Sequence, residues 1–238
     1  MVQDLSQAYD SEGARRGRLT ARPIQTPLEA GPTGLHSLHL SGERDGLYYV
    51  PGSYQASQPA PLVVMLHGAG GDARSSIVLL QALAEATGVI LLVPESRRMT
   101  WDVLLSGYGP DVAFINRALV EIFSRYVVDT EHLALAGFSD GASYALSLGL
   151  TNGDPFTHIL AFSPGFMAPA RRHGSPHIYI SHGTQDAVLP IQQCSRRIVP
   201  QLKREGYDVQ YHEFDGPHTV PSEIALEALQ WFLQKPDE

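Results

Sequence analysis

Between an apolar run, His132-Leu133-Ala134-Leu135-Ala136, and a helical pattern, Ala142-Ser143-Tyr144-Ala145-Leu146-Ser147-Leu148, the chain has five residues in which to reverse direction: Gly137-Phe138-Ser139-Asp140-Gly141. A Gly-x-Ser-x-Gly pentapeptide in that setting demands strand, tight turn and helix in immediate succession. The glycines let the backbone fold sharply and let neighbouring segments close in, and the serine is held on a strained turn with its hydroxyl exposed above a sheet. Such a pentapeptide arises by chance in about one sequence of this kind in six, so its surroundings decide what it means.

Those surroundings alternate between buried strands and amphipathic helices. Strands are expected at Pro61 to Leu66, Val89 to Val93, His132 to Ala136, His158 to Phe162, Ile178 to Ser181 and Val209 to Phe214. Helices are expected at Ser75 to Ala86, with Leu79, Leu80 and Leu83 on one face, and at about Asp111 to Tyr126, Ile191 to Glu205 and Ser222 to Leu233. Continuous apolar strands alternating with helices predict an α/β fold, a mainly parallel sheet with helices on both faces. Ahead of it, Leu35 to Leu40 and Leu47 to Val50, joined by the turn Gly42 to Gly46, predict an antiparallel hairpin at a sheet edge. Residues 1–34 mix charge, glycine and proline and read as an arm, flexible or laid across the surface, ahead of a single domain at 35–238. Nearly every segment after Leu62 is used by the core pattern, which leaves no room for a large cap domain.

At 238 residues the chain suits one α/β domain of ordinary size. Seventeen basic against twenty-five acidic residues give a net charge of −8, which argues against nucleic acid or an anionic membrane surface as partner. The single cysteine, Cys194, cannot form an intramolecular disulfide, and its helical context reads as ordinary packing. The amino terminus lacks an apolar stretch of signal-peptide length, and no run approaches the roughly 20 residues needed to span a bilayer. The chain reads as soluble and cytoplasmic.

In parallel sheets, reactive groups gather in the loops beyond the carboxyl ends of the strands. Four such loops stand out: His67-Gly68-Ala69-Gly70-Gly71, the pentapeptide, His182-Gly183-Thr184-Gln185-Asp186, and Asp215-Gly216-Pro217-His218. A serine hydroxyl needs a base to take its proton, and the base needs a partner that fixes its tautomer and stabilises its cation. His218 is the better base, because His212 lies inside a strand. Asp186 is the better acid, because Asp215 fits a turn at a strand end, and it gives the chain order Ser, Asp, His. For a developing oxyanion, the backbone N–H groups of Asp140 and Ala69 are the candidate donors. The Asp140 carboxylate would be unhelpful there unless it points away. The ten histidines show no His-Glu-x-x-His pattern and no cysteine cluster joins them, so no metal and no cofactor are expected.

Together, His67 to Gly71, Gly137 to Gly141, His182 to Asp186 with Val188-Leu189-Pro190, and Phe214 to His218 resemble the α/β-hydrolase superfamily. Within it the chain looks most like the phospholipase/carboxylesterase group, with feruloyl-esterase-like and polyester-depolymerase-like relatives, from about Leu62 to Leu233. The resemblance implies Ser139, Asp186 and His218 as a catalytic triad, in agreement with the reading from chain order. Where this chain has Asp140, the family often has another residue such as Gln. The expected activity is hydrolysis of small or medium-sized carboxylic esters through an acyl-enzyme. A thioester or amide hydrolase, or a non-catalytic binding protein on the scaffold, is the alternative. The partner expected is a small ester, with homodimerisation left open. The irregular stretch Glu95 to Pro110 offers Trp101, Leu104, Leu105 and Tyr108 as pocket walls, with Phe166, Met167, Val188 and Leu189 as further candidates, or these residues are simply buried under a loop.

Overall fold

The apolar runs become strands that bury both of their faces. In the computed structural model, which describes residues 11–25, 31–105 and 107–234, the first half of the chain forms α1 Ser11–Arg15, β1 Gly34–Ser37, β2 Gly46–Val50, β3 Ala60–Leu66, α2 Ala73–Ile77, α3 Gln81–Thr87 and β4 Ile90–Pro94. A short 3-10 turn, Asp102–Leu104, leads to α4 Pro110–Arg125 and β5 Val128–Phe138. There follow α5 Asp140–Thr151, β6 His158–Phe162, β7 His177–Gly183, α6 Ser195–Arg204, β8 Val209–Phe214 and α7 Ser222–Phe232.

All eight strands lie in one sheet in the order β1-β2-β4-β3-β5-β6-β7-β8. β2 is antiparallel to both β1 and β4, and every other neighbouring pair is parallel. The expected α/β-hydrolase architecture is therefore present, including the amino-terminal antiparallel hairpin. Alternation along each strand divides the core in two. Leu62, Val64, Leu66, Leu133, Leu135, Ile159, Ile178 and Ile180 face one cluster, with residues of α1, α4, α5 and α6. Val63, Met65, Ala134, Ala136, Leu160, Phe162 and Tyr179 face the other, with residues of α2, α3 and α7. Burial on both faces is why these strands read as unbroken apolar runs.

Several elements differ from expectation for local reasons. The first strand ends at Ser37 because the Asp45 carboxylate collects the N–H groups of His39, Leu40 and Ser41, at 2.7, 2.9 and 3.0 Å, and bends the chain away from the sheet. The helix expected from Ser75 to Ala86 is interrupted after Ile77. The Leu79 and Leu80 N–H groups bond to carbonyls three residues back rather than four, yet Ile77, Leu80 and Ala84 still share one buried face. Likewise α6 starts only at Ser195, after tight turns at Pro190 to Cys194, and Cys194 is buried at its entrance, where burial raises the thiol pKa.

In the arm, residues 1–10 and 26–30 lie outside the described residues. The intervening stretch packs on α4 and α5: Leu19 is buried, its N–H donates to Asn152 Oδ1 at 2.9 Å, and the Thr20 and Ala21 N–H groups share Asn116 Oδ1. Among the described residues no helix is long and apolar enough to cross a membrane.

Candidate active site

Ser139 sits between β5 and α5 with φ 58° and ψ −120°, a left-sided conformation that costs a non-glycine residue about 1–3 kcal/mol. Its neighbours make that turn possible. A Cβ on Gly137 would lie 2.2 Å from the Gly141 carbonyl oxygen, and one on Gly141 would lie 2.2 Å from that of Leu66. Only glycine lets the turn close on itself and on β3. The Ser139 N–H is tied to the Phe162 carbonyl at 2.9 Å, which anchors the turn to β6.

The loops after β7 and β8 bring the other two residues to this turn. His218 Nε2 accepts from Ser139 Oγ at 2.9 Å, and His218 Nδ1–H donates to Asp186 Oδ2 at 2.5 Å. The His218 ring lies against Phe138, with centroids 4.7 Å apart. The Asp186 side chain is buried, and its Oδ1 accepts the N–H groups of Val188 and Leu189 at 2.9 and 2.7 Å. Burial pushes the Asp186 pKa upward, but the hydrogen bonds from Leu189, His218 and Val188 outweigh it and hold the carboxyl below its ordinary value.

The rival residues stand elsewhere. Asp215 accepts from Gln185 Nε2 at 2.6 Å and ties the two loops together at the surface. His212 pairs with Glu227 on α7, with Nδ1 to Oε1 at 3.2 Å.

The loop after β3 closes on Ser139: a Cβ on Gly68 would come within 3.3 Å of Ser139 Cβ. Among the described residues, neither the Ala69 nor the Asp140 amide donates to a protein acceptor. The Asp140 side chain accepts from Thr100 Oγ1 at 2.7 Å, so it is directed at residues 95–110. That stretch holds the oxyanion-loop candidate from behind. Gly70 N–H donates to the Met99 carbonyl at 2.7 Å, Ser96 N–H to His67 Nε2 at 3.0 Å, and Trp101 Nε1–H to the His67 carbonyl at 2.8 Å. Arg44, from the turn of the amino-terminal hairpin, donates to the Ser96 and Gly71 carbonyls and approaches His67 Nε2 at 3.3 Å. Burial lowers the His67 pKa, consistent with a neutral ring whose Nδ1–H donates to the Gly68 carbonyl.

Trp101 is therefore not an open pocket wall. It is fully buried and stacked on Tyr144 at 5.0 Å, and its ring reaches inward because its one N–H finds the His67 carbonyl there. Two buried carboxylates fix the same stretch: Asp102 accepts from Gly109 N–H, Asp111 N–H and Tyr144 Oη–H, while Asp111 accepts from the Asp102 and Arg97 N–H groups. Burial, then the nearby Asp102 charge, raises Asp111 to about 6. Leu104 and Tyr108 pack partly buried against the core, with the Tyr108 hydroxyl donating to the Ala168 carbonyl at 2.9 Å, and Leu105 is exposed.

The remaining candidates lie on two segments that meet near the site. Ser143, Ser147 and Thr151, spaced four apart on α5, each donate to the carbonyl one turn back. The same hydroxyls accept from the N–H groups of Gly165, Ala168 and Ala170. This ladder lays the chain after β6, with half-buried Phe166 and Met167, along α5. A Cβ on Gly165 would come within 3.3 Å of Leu189 Cδ2, so this segment touches the Asp186 loop, where Val188 is exposed and Leu189 half-buried.

The sequence gives no role to Arg44, Ser96, Thr100 or Ser143, whose hydrogen bonds hold the loops around Ser139. Only Ser143 leaves a signal, the four-residue spacing of hydroxyls on α5.

Feruloyl esterase C of Emericella nidulans is 25% identical over 169 residues, covering 67% of this chain and 61% of its own length. The chain spans about three fifths of the length of the curated feruloyl esterases it matches first. Among solved structures, esterase PE8 superimposes with a TM-score of 0.64 at 25% identity, covering 80% of this chain and 98% of that one. The fold is also that of the fluorophosphonate-binding serine hydrolase F of Staphylococcus aureus, with a TM-score of 0.67 at 16% identity over 86% of this chain and 100% of that one. The phospholipase/carboxylesterase family model matches residues 114–236, which run from α4 past the end of α7 and include Ser139, Asp186 and His218. The chain belongs to the phospholipase/carboxylesterase family of α/β-hydrolases.

Proposed function

We propose that the protein is a carboxylesterase-type serine hydrolase that cleaves small or medium-sized esters through an acyl-enzyme on Ser139. The observation that carries this reading is the unbroken chain of hydrogen bonds from Ser139 Oγ through both nitrogens of His218 to buried Asp186. As Ser139 Oγ attacks the ester carbonyl carbon, its proton passes to His218 Nε2. Asp186 holds the Nδ1–H tautomer and stabilises the resulting imidazolium. The oxyanion lies between the Ala69 and Asp140 amides, each donor being worth about 2.7–4 kcal/mol in such sites. His218 then returns the proton to the leaving alkoxide, the C–O bond breaks and the alcohol departs. Water activated by the same imidazole releases the acid.

The Asp140 carboxylate is compatible with this role because Thr100 holds it aside. For the acyl pocket, Phe166 and Leu189 are the favoured walls, since their two segments meet beside the nucleophile turn. The feruloyl esterase relatives support an aromatic acyl group as a member of the substrate set.

The test is a panel of acyl esters of increasing chain length, a feruloyl ester, and thioester and amide analogues, assayed with wild type and Ser139→Ala. Esters should give the highest kcat/KM, and Ser139→Ala should abolish turnover. A thioester or amide preference would move the protein to the corresponding class, and hydrolysis surviving in Ser139→Ala would contradict the reading.

A further inference from the structure

Asp186 is held from both sides. His218 approaches Oδ2 from the Ser139 side, and on the other side His182, with no exposed surface, places Nε2 3.3 Å from the same oxygen. His182 Nε2–H donates to the Leu189 carbonyl at 2.8 Å, and since a carbonyl can only accept, the proton is fixed on that nitrogen. The other ring nitrogen, Nδ1, then accepts from the hydroxyl of Ser195, also fully buried, at 2.7 Å. Burial lowers the His182 pKa, in keeping with this neutral tautomer. The result is a five-membered row: Ser195, His182, Asp186, His218, Ser139. Only the last two reach toward substrate.

From this geometry we infer that His182 is a positioning residue for Asp186, locking the short loop that carries the carboxylate while Ser195 locks His182. The inference rests on the esterase reading above. Asp186 Oδ1 accepts the Val188 and Leu189 N–H groups, so the loop from Asp186 to Leu189 folds back on its own carboxylate. The Leu189 carbonyl that results is part-buried, and His182 satisfies it. Without the imidazole, the part-buried Leu189 carbonyl loses its donor and the buried carboxylate loses the ring 3.3 Å from its Oδ2. A part-buried acceptor that loses its partner favours a local shift that restores one. Here the shift would turn the carboxylate out of line with His218 Nδ1. His182 touches no substrate, so the loss falls on the chemical step and not on binding, a pattern that separates kcat from KM.

A plain packing role would look different. A histidine that only fills space and satisfies a carbonyl would affect unfolding and leave turnover of the folded protein intact. The experiment compares His182→Leu, His182→Gln and Ser195→Ala with wild type. It measures kcat and KM on an ester that wild type cleaves, the rate of fluorophosphonate labelling, and thermal unfolding. His182→Leu keeps bulk but no donor, and its kcat should fall by up to about 100-fold, the scale a misplaced catalytic group can cost, with KM unchanged. Labelling should slow in step. His182→Gln retains an N–H donor toward Leu189 and Asp186 and should recover most of the loss. Ser195→Ala removes one hydroxyl without adding bulk and should give a smaller fall in kcat, which keeps the test open if His182→Leu does not fold. Unchanged kcat in the folded His182→Gln and Ser195→Ala proteins, together with unchanged kcat or only lost stability in His182→Leu, would overturn the role of His182 while leaving the esterase reading standing. Equal losses in His182→Leu and His182→Gln would overturn it as well. Failure of wild type itself to label or to cleave any ester would overturn the reading beneath it.

Discussion

Histidines gather at both ends of the neighbouring strands β5, β6 and β7, and the two ends use them differently. Beyond their carboxyl ends, His218 has an acid on one nitrogen and a hydroxyl in a strained turn on the other. At the opposite end His132, His158 and His177 stand in a row across the sheet. The His132 and His158 rings lie 6.2 Å apart and within 6° of parallel, and the His158 and His177 rings lie 5.3 Å apart. The outer two pair with Asp129 and Asp208, while Trp231 and Phe232 meet His158 edge-on. Burial, then the neighbouring His177 and His132, pushes His158 down to about 4. Three imidazoles packed against one another make a wall, whereas one imidazole between an acid and a hydroxyl has the arrangement that the proposed proton transfer needs. Partners, and not the residue type, distinguish the two ends.

The comparison breaks most visibly under single substitutions. His218→Ala should cost about 10⁶-fold in kcat, as removal of a triad member does elsewhere, with little change in melting temperature. His158→Ala should do the reverse, keeping kcat and losing stability. If both variants kept their activity, the distinction between the two ends would fail. Next in size, Asp186→Asn should lower kcat by roughly 10⁴-fold, because the amide no longer holds the required tautomer. Asp215→Asn, whose carboxylate only ties two surface loops, should have a much smaller effect. A reversal of those two results would move the acid to Asp215.

Smaller effects concern stability. Trp101→Ala should destabilise the fold by about 3–5 kcal/mol, as a buried tryptophan does, and leave acyl chain-length preference unchanged. A shifted preference without loss of melting temperature would restore Trp101 as a pocket wall. The histidine row adds a pH dependence of known sign. His158 is neutral in the fold down to about 4, whereas in the unfolded chain it takes up a proton near 6.5, so the unfolded state binds more protons between those values. Stability should therefore be full above about 6.5 and decline as pH falls toward 4, by at most about 3 kcal/mol from this group. Denaturant midpoints measured across that window, in wild type and His158→Phe, check it. An equal slope in both proteins would assign the effect to other groups.

Much of this architecture was legible in the sequence because it depends on nearest neighbours and chain order. Unbroken apolar strands had to be buried on both faces, and Gly137 and Gly141 flank a turn that tolerates no Cβ. The order Ser139, Asp186, His218 named three residues that the fold brings within hydrogen-bonding distance. Less legible was whatever depends on one atom meeting another far along the chain. Arg44 reaches the Gly71 carbonyl, and His182 reaches that of Leu189, and backbone acceptors leave no mark in a sequence. Trp101 shows the same limit from the apolar side: a tryptophan in a long irregular stretch reads alike whether it faces substrate or core. The shortened first strand was hidden for a related reason, since Asp45 captures three N–H groups from residues that precede it.

The most direct measurement is the intact mass of the protein after reaction with a fluorophosphonate, followed by peptide mapping of the adduct. The account predicts one covalent adduct per chain, located on Ser139, formed in wild type and absent from both Ser139→Ala and His218→Ala. An adduct on any other residue, or undiminished labelling after loss of His218, would contradict it.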